Sequence, residues 1–278
     1  MSRILYIWKG DYPWEVRIEK FCNSLVENGN EVIILCRWVP GRLETESIGQ
    51  IKIIRVGFNQ APSLSIPVST NPFWISSIKK IIKQFQPGLI IAREIMLAEA
   101  AARLARKHYI PVIMDMAEHY PAVMKGWKKY KERSFYKILV HDLKLPETFE
   151  KRSVNLMDGI ITVCSEQSER LINEYNYPAV ALQVVHNTPD INSFENVRKG
   201  CSSPPRTFAY HGNVNNERNM VRFVKGFIIA AKQDPDISLE IAGVGEDSED
   251  IRNLIESSDV QNQFRLFGSY KHEDLVEL

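Results

Sequence analysis

Short apolar runs alternate with amphipathic helical stretches almost from end to end, and no other feature restricts the fold as strongly. Residues 4–8, 31–36, 51–56, 89–92, 112–115, 159–163 and 182–186 read as strands too apolar to leave a face in water. Between them come helical patterns. Ile18, Phe21, Cys22 and Leu25 fall at i, i+3, i+4 and i+7 on one helix face, which Gly29 would end. Ile75, Ile78, Ile82 and Phe85 form the next face, after a proline-punctuated loop at 61–72. An alanine-rich helix follows at 95–107, then a long helical region at 133–157, bent or interrupted at Pro146, and a helix at 166–175. Buried strands separated by helices predict a parallel sheet covered on both faces, an α/β domain of Rossmann-like type.

The pattern restarts at Arg206, with strands at 208–214, 239–242 and 264–267 and helices at 217–232 and 248–257. Ser202-Ser203-Pro204-Pro205, close behind Arg198-Lys199-Gly200, has the composition of a linker. The expected organisation is a complete Rossmann-like domain at 1–195, a linker at 196–205 and a partial second Rossmann-like domain at 206–278. Residues 272–278 read as a helix just starting, so the second sheet is expected to be unfinished.

Charge and cysteine usage exclude several classes. A formal net charge of +1 argues against a protein drawn to nucleic acid by its overall field. Cys22, Cys36, Cys164 and Cys201 include no Cys-x-x-Cys pair, so neither a zinc motif nor a disulfide framework is indicated, which suits a reducing compartment. The first apolar run is too short for a signal peptide, and no stretch approaches the ~18–20 apolar residues of a membrane-spanning helix. The chain is expected to be cytoplasmic.

The sharpest local signal is the loop Tyr210-His211-Gly212-Asn213-Val214-Asn215-Asn216-Glu217-Arg218-Asn219, between a strand and a helix whose apolar face is Met220, Val224, Phe227 and Ala231. Arg218 falls in the expected first helical turn, where the macrodipole disfavours a cation. Either an anion such as phosphate occupies the helix end, or Arg218 points to solvent or pairs with Glu217. Gly243-Val244-Gly245 closes the second strand and lacks the third glycine of a dinucleotide fingerprint, so NAD and FAD are not expected. In another stretch, Lys125, Lys128, Lys129, Lys131, Arg133 and Lys137 interleave with Trp127, Tyr130, Phe135 and Tyr136. That chemistry suits a helix lying on an anionic membrane, or a solvated helix face.

The 210–219 loop resembles the Gly-Arg-Leu-x-x-x-Lys-Gly segment that opens the donor domain of the retaining GT-B glycosyltransferases of the family numbered four. Gly212 and Arg218 match its glycine and its phosphate-binding cation, while Asn213 and Asn219 replace an arginine and a glycine. Leu239–Glu246, Phe264–Ser269 and Lys271–Leu275 are similar to the following strand, turn and helix start. Trp14–Lys20, Asn28–Val32, Asp158–Ser165 and Val184–Asp190 resemble the family's first helix, second strand and closing strands. Met114–Pro121 resembles its acceptor-side Asp-x-His-Glu pattern, with Asp115 and Glu118 matching, Ala117 in place of His, and His119 two positions on.

The resemblance implies transfer of a sugar, with retention, from a nucleotide diphosphate sugar to a saccharide or lipid-linked acceptor in cell-surface polysaccharide synthesis. It implies no metal and no cofactor. Gly212, Asn213, Arg218, Gly243, Gly245 and Glu246 would bind the donor. Asp11, Arg17 and Asp115 would serve the acceptor side, and Glu118 and His119 would orient an acceptor hydroxyl or accept its proton, unless they only bond neighbouring backbone. Lys125, Trp127, Lys128, Lys129 and Lys131 would touch an anionic membrane surface. The family's Glu-x7-Glu segment, which grips the donor sugar and ribose, would lie beyond Leu278, so the resemblance does not imply activity of these 278 residues alone. A sugar-nucleotide epimerase of the same architecture, or a non-catalytic acceptor- or membrane-binding module, are the alternatives.

Overall fold

A computed structural model of the chain describes residues 2–13, 15–57, 62–126, 138–188 and 206–270. The chain divides into two compact units, Met1–Thr188 and Pro189–Leu278.

The first unit is built on β1 (Arg3–Ile7), β2 (Glu31–Arg37), β3 (Thr45–Ile48), β4 (Ile51–Val56), β5 (Leu89–Arg93), β6 (Val112–Met116), β7 (Gly159–Thr162) and β8 (Leu182–Val184). They form one eight-stranded sheet in the order β3-β4-β2-β1-β5-β6-β7-β8. All pairings are parallel except β3 with β4. The strand order reverses at β1, which lies between β2 and β5. In such sheets ligands bind outside the carboxyl ends of the strands at this reversal.

Successive side chains of a strand point to opposite faces, and both faces are buried here. Leu5, Ile7, Ile33 and Leu35 enter one core with Trp74 and Ile78 of α2 (Pro72–Phe85) and Ala98, Ala101 and Ala105 of α3 (Ile95–Ala105). Tyr6, Ile34 and Ile53 enter the other with Ile18 and Cys22 of α1 (Val16–Glu27). This explains the near-continuous apolar runs of β1 and β2. The small alanine side chains let α3 lie close to the sheet. After α3 come α4 (Tyr120–Gly126), a π-helical turn (Ile138–Asp142), α5 (Leu145–Val154) and α6 (Ser165–Tyr175).

One expectation changes here and one is resolved. Strand β3 was not expected, because Thr-Glu-Ser-Ile carries no apolar run; it is an exposed antiparallel edge, anchored by Glu46 to Arg55. Of the two outcomes expected at Pro146, the helical region is interrupted there and not bent. The proline lies in the first turn of α5, which begins after Lys144 in a left-handed conformation (φ 47°), where proline's missing N–H costs nothing.

The second unit holds β9 (Thr207–His211), α7 (Met220–Ala231), β10 (Ser238–Ala242), α8 (Ser248–Glu256) and β11 (Phe264–Gly268). Its three-stranded parallel sheet has the order β11-β10-β9. Met220, Val224, Phe227 and Ala231 all pack into one core with Leu239, Ile241, Ile251 and Ile255. The first strand is shorter than expected, and α7 starts three residues later, after a 3₁₀ turn at Asn216–Arg218 and a left-handed Asn219 (φ 52°). No helix among the described residues is long and apolar enough to cross a membrane.

Candidate active site

In the first unit the carboxyl ends of β1, β5 and β6 gather a network of charges. Asp115 is fully buried at its centre. It accepts from Arg17 Nε and Nη2 at 3.0 and 2.8 Å, from Arg93 Nη1 at 3.0 Å and from the Tyr6 hydroxyl at 2.7 Å. Arg93 also reaches Glu15 at 3.0 Å, and Arg17 Nη1 donates to the Val185 carbonyl at 3.0 Å. The network thus ties α1, β1, β5, β6 and the chain after β8 together. Burial raises the Tyr6 hydroxyl pKa well above its usual value, and the Asp115 charge adds to this. Burial alone would lower Arg93, but Asp115, Glu94 and Glu15 outweigh it and hold its proton more firmly.

Asp115 was expected to meet an acceptor. It is instead enclosed, with both oxygens bonded to protein donors, so it supports the site from behind. Arg17, only 3% exposed, is committed to the same network. Asp11 pairs with Arg42 and Arg55 at 3.3 and 3.4 Å, and so braces the loop after β1.

Glu118 is exposed, and its carbonyl accepts from Gln167 Nε2 at 3.4 Å. His119 is half-buried beside Glu150 and Glu174, all three presenting ligand-type atoms within 4.8 Å of one another. Arg170 already bridges these carboxylates, at 2.7 Å to Glu150 and 2.9 Å to Glu174, and Tyr175 donates to Glu150 at 2.6 Å. The trio therefore has its cation in hand and forms an ion-pair network. Burial, with Arg170 next, lowers the His119 pKa below its ordinary 6.5, which keeps the imidazole neutral near pH 7.

Several residues of this site lay outside the sequence expectations. Glu94 is 3% exposed and adopts φ 62° and ψ 175°, a region almost reserved for glycine that costs a non-glycine residue roughly 1–3 kcal/mol. Its N–H donates to the Asp115 carbonyl at 3.0 Å, and its Oε1 accepts from the Ala117 N–H at 3.2 Å. Its Oε2 is buried without a partner. Burial pushes its pKa up to about 7, against the pull of Arg93, the Ala117 amide and Lys9. Lys9 itself donates to the Tyr120 hydroxyl at 2.5 Å and lies over the Tyr120 ring. The signal was available: Arg93-Glu94 directly follows an apolar strand, where an α/β sheet presents its functional groups.

In the second unit, Gly212 and Gly243 close the ends of β9 and β10 side by side. A Cβ on Gly243 would overlap the Gly212 carbonyl, and one on Gly245 would overlap the Val214 carbonyl. Only glycine permits this approach of backbone to backbone. Their amides are used internally: Gly212 N to Ala242 O at 2.9 Å, Gly243 N to Gly268 O at 2.7 Å and Gly245 N to Ser248 Oγ at 2.8 Å. These three glycine amides therefore do not point at a ligand, contrary to expectation. Asn213 is exposed, and its carbonyl accepts from the Tyr210 hydroxyl at 2.7 Å. Glu246 is exposed.

Arg218 lies in the 3₁₀ turn before α7, not in its first turn, and is exposed. Its backbone N–H is capped by Asn215 Oδ1 at 3.2 Å, and among the described residues its guanidinium forms no ion pair, with Glu217 or any other. Asn219 gives α7 no side-chain cap. Among the described residues, then, an unpaired guanidinium lies beside an uncapped helix N-terminus, and both favour negative charge.

Lys125, on α4, pairs with Glu147. Trp127, Lys128, Lys129 and Lys131 lie outside the described residues.

Two Rossmann-like α/β units, the first dominated by a large parallel sheet, define the class: a GT-B glycosyltransferase-like fold. Residues 15–193 match the model of Glycosyltransferase Family 4, and the chain belongs to that family. Among solved structures, it is similar to a lipopolysaccharide outer core galactosyltransferase in its apo form (14% identity, TM-score 0.63, covering 99% of this chain and 70% of that one). It is also similar to a sucrose-phosphate synthase from Thermosynechococcus elongatus (13%, 0.67, 99% and 72%). A third likeness is to a UDP-GlcNAc 2-epimerase from Neisseria meningitidis bound to UDP-GlcNAc (13%, 0.63, 99% and 74%). At these identities the likeness establishes the fold. The comparison with curated proteins finds no match.

Proposed function

We propose that this protein transfers a sugar from a nucleotide diphosphate sugar to a saccharide or lipid-linked acceptor, with retention at the anomeric carbon, in the building of a surface polysaccharide. The observation that carries the reading is the family match over residues 15–193, which favours a transferase over an epimerase. The second unit holds the donor. Negative charge grows on the diphosphate as the glycosidic bond breaks, and Arg218 with the first amides of α7 would stabilise it there. The first unit holds the acceptor, with the turn of Glu118 and His119 as its polar contact. A neutral His119 can accept a hydrogen bond from an acceptor hydroxyl. The 125–131 segment would add a peripheral contact with anionic lipid on the cytoplasmic face.

The test is turnover of UDP-glucose, UDP-galactose and UDP-N-acetylglucosamine with octyl glycosides as acceptors. Arg218→Ala should lower turnover by roughly 10²–10³-fold, the loss typical of one preorganised anion stabiliser, and Arg218→Lys should restore part of it. Wild-type turnover in Arg218→Ala at saturating donor would remove Arg218 from the donor site. Free nucleotide with an altered sugar, formed without acceptor, would mark an epimerase instead.

A further inference from the structure

The turn that carries Glu118 and His119 is held from beneath by a residue that the transferase reading does not use. Glu94 directly follows β5 and bonds the neighbouring β6 and its exit twice, through its own N–H to the Asp115 carbonyl and through Oε1 from the Ala117 N–H. A plain connector in its backbone conformation would be glycine, because only glycine enters that region without strain. Here a glutamate is kept there, and it is almost fully buried.

The choice of a carboxyl is as telling as its position. A glutamine would accept from Ala117 equally well without placing an ionisable group in the interior. The buried Oε2, which no donor reaches, is the oxygen on which a proton can reside. With Oε2 protonated, Oε1 is an ordinary neutral acceptor. With Glu94 ionised, the bond from Ala117 is charge-assisted and roughly twice as strong.

We infer that Glu94 is a positioning residue for the acceptor, setting the Glu118–His119 turn through its hydrogen bond from the Ala117 amide. The inference rests on the transferase reading and on the acceptor role proposed there for that turn. Glu94 does not touch the acceptor; it acts through Ala117. The charged groups around it are Lys9 from the loop after β1, Arg93 on its own strand and Asp115 on β6, with burial opposing ionisation more strongly than any of them. The two cations favour the ionised form and Asp115 opposes it, leaving Glu94 to titrate at about 7. The hold on the turn is therefore tight above neutrality and slack below it.

Two measurements on the full chain test this, one independent of turnover. In ¹⁵N-labelled protein the Ala117 amide should titrate with a midpoint near 7. Glu94→Gln keeps the acceptor for Ala117 but cannot ionise, so it should remove that midpoint and leave only the lower one of His119 two residues away. An Ala117 amide that titrates identically in both proteins overturns the clamp. In the octyl glycoside assay, acceptor KM should rise about 5- to 10-fold from pH 8 to pH 6, the ratio between a charged and a neutral hydrogen bond. Donor KM should stay level. In Glu94→Gln the acceptor KM should be flat with pH. A purely structural glutamate would leave the pH profile of acceptor KM unchanged in Glu94→Gln, and that result refutes the role. If the wild-type chain transfers to no acceptor from any of the three donors, the transferase reading and this role fall together, while the amide titration still decides whether the clamp exists.

Discussion

Replacing Asp115 by Asn tests whether the buried network is the frame of the first unit's site. The carboxylate is fully buried and accepts from four donor groups, three on the guanidinium groups of Arg17 and Arg93 and one on Tyr6, with Arg17 Nε reaching both oxygens. An amide keeps one oxygen and turns an N–H₂ group toward donors that have nowhere else to go. Arg17 then has no anionic partner, only the Val185 carbonyl and a neutral amide oxygen, while Arg93 keeps Glu15 and, at 3.8 Å, Glu94. Breaking a buried pair by removing one partner costs about 3–5 kcal/mol, because the remaining charge is stranded. In a unit the size of Met1–Thr188, each kcal/mol is worth about 2–4 °C of melting temperature, so the first unit's transition should fall by on the order of 10 °C. Differential scanning calorimetry reads this directly. The double change Asp115→Leu with Arg17→Met removes both charges, and its cost should be well below the sum of the single changes. A loss under about 1 kcal/mol for Asp115→Asn would refute the claim that these arginines depend on it.

Three further outcomes are expected. Gly243→Ala should unfold the second unit, since its methyl group would meet the Gly212 carbonyl inside van der Waals contact; limited proteolysis at 25 °C that leaves this unit intact would contradict this. Glu94→Gln should gain stability over the wild type as pH rises. A folded-state pKa raised to about 7 means that the wild type is favoured below the usual 4.5 and penalised as pH climbs through 7. The gain between pH 5 and pH 8 should be on the order of 2–3 kcal/mol in urea unfolding, and a constant difference would contradict it. Finally, binding to anionic vesicles should weaken with salt and vanish when Lys128, Lys129 and Lys131 become Glu, each cation contributing about 1 kcal/mol; unchanged binding would remove this segment from the membrane contact.

Much of the architecture was legible in the amino-acid sequence because it follows from local periodicity. The apolar runs of β1, β2, β5 and β6 and the i, i+3, i+4, i+7 faces of α1 and α7 demand burial wherever the chain goes. The glycines at 212, 243 and 245 stood out as strand-end positions but were read as donor-binding; that backbone meets backbone there was decided only by the folded sheet. What the sequence left open depends on contacts between distant residues. Strand β3 exists because β4 offers it an edge, and nothing in Thr-Glu-Ser-Ile requires that partner. Asp115 looked like a group facing a ligand until Arg17, Arg93 and Tyr6, from 22 to 109 positions away, closed around it. Glu94 was passed over although it directly follows an apolar strand, because that position alone does not separate a buried carboxylate from a solvated one. Its strain, its free oxygen and its raised pKa come from the burial that packing imposes, and burial is a property of the folded surroundings.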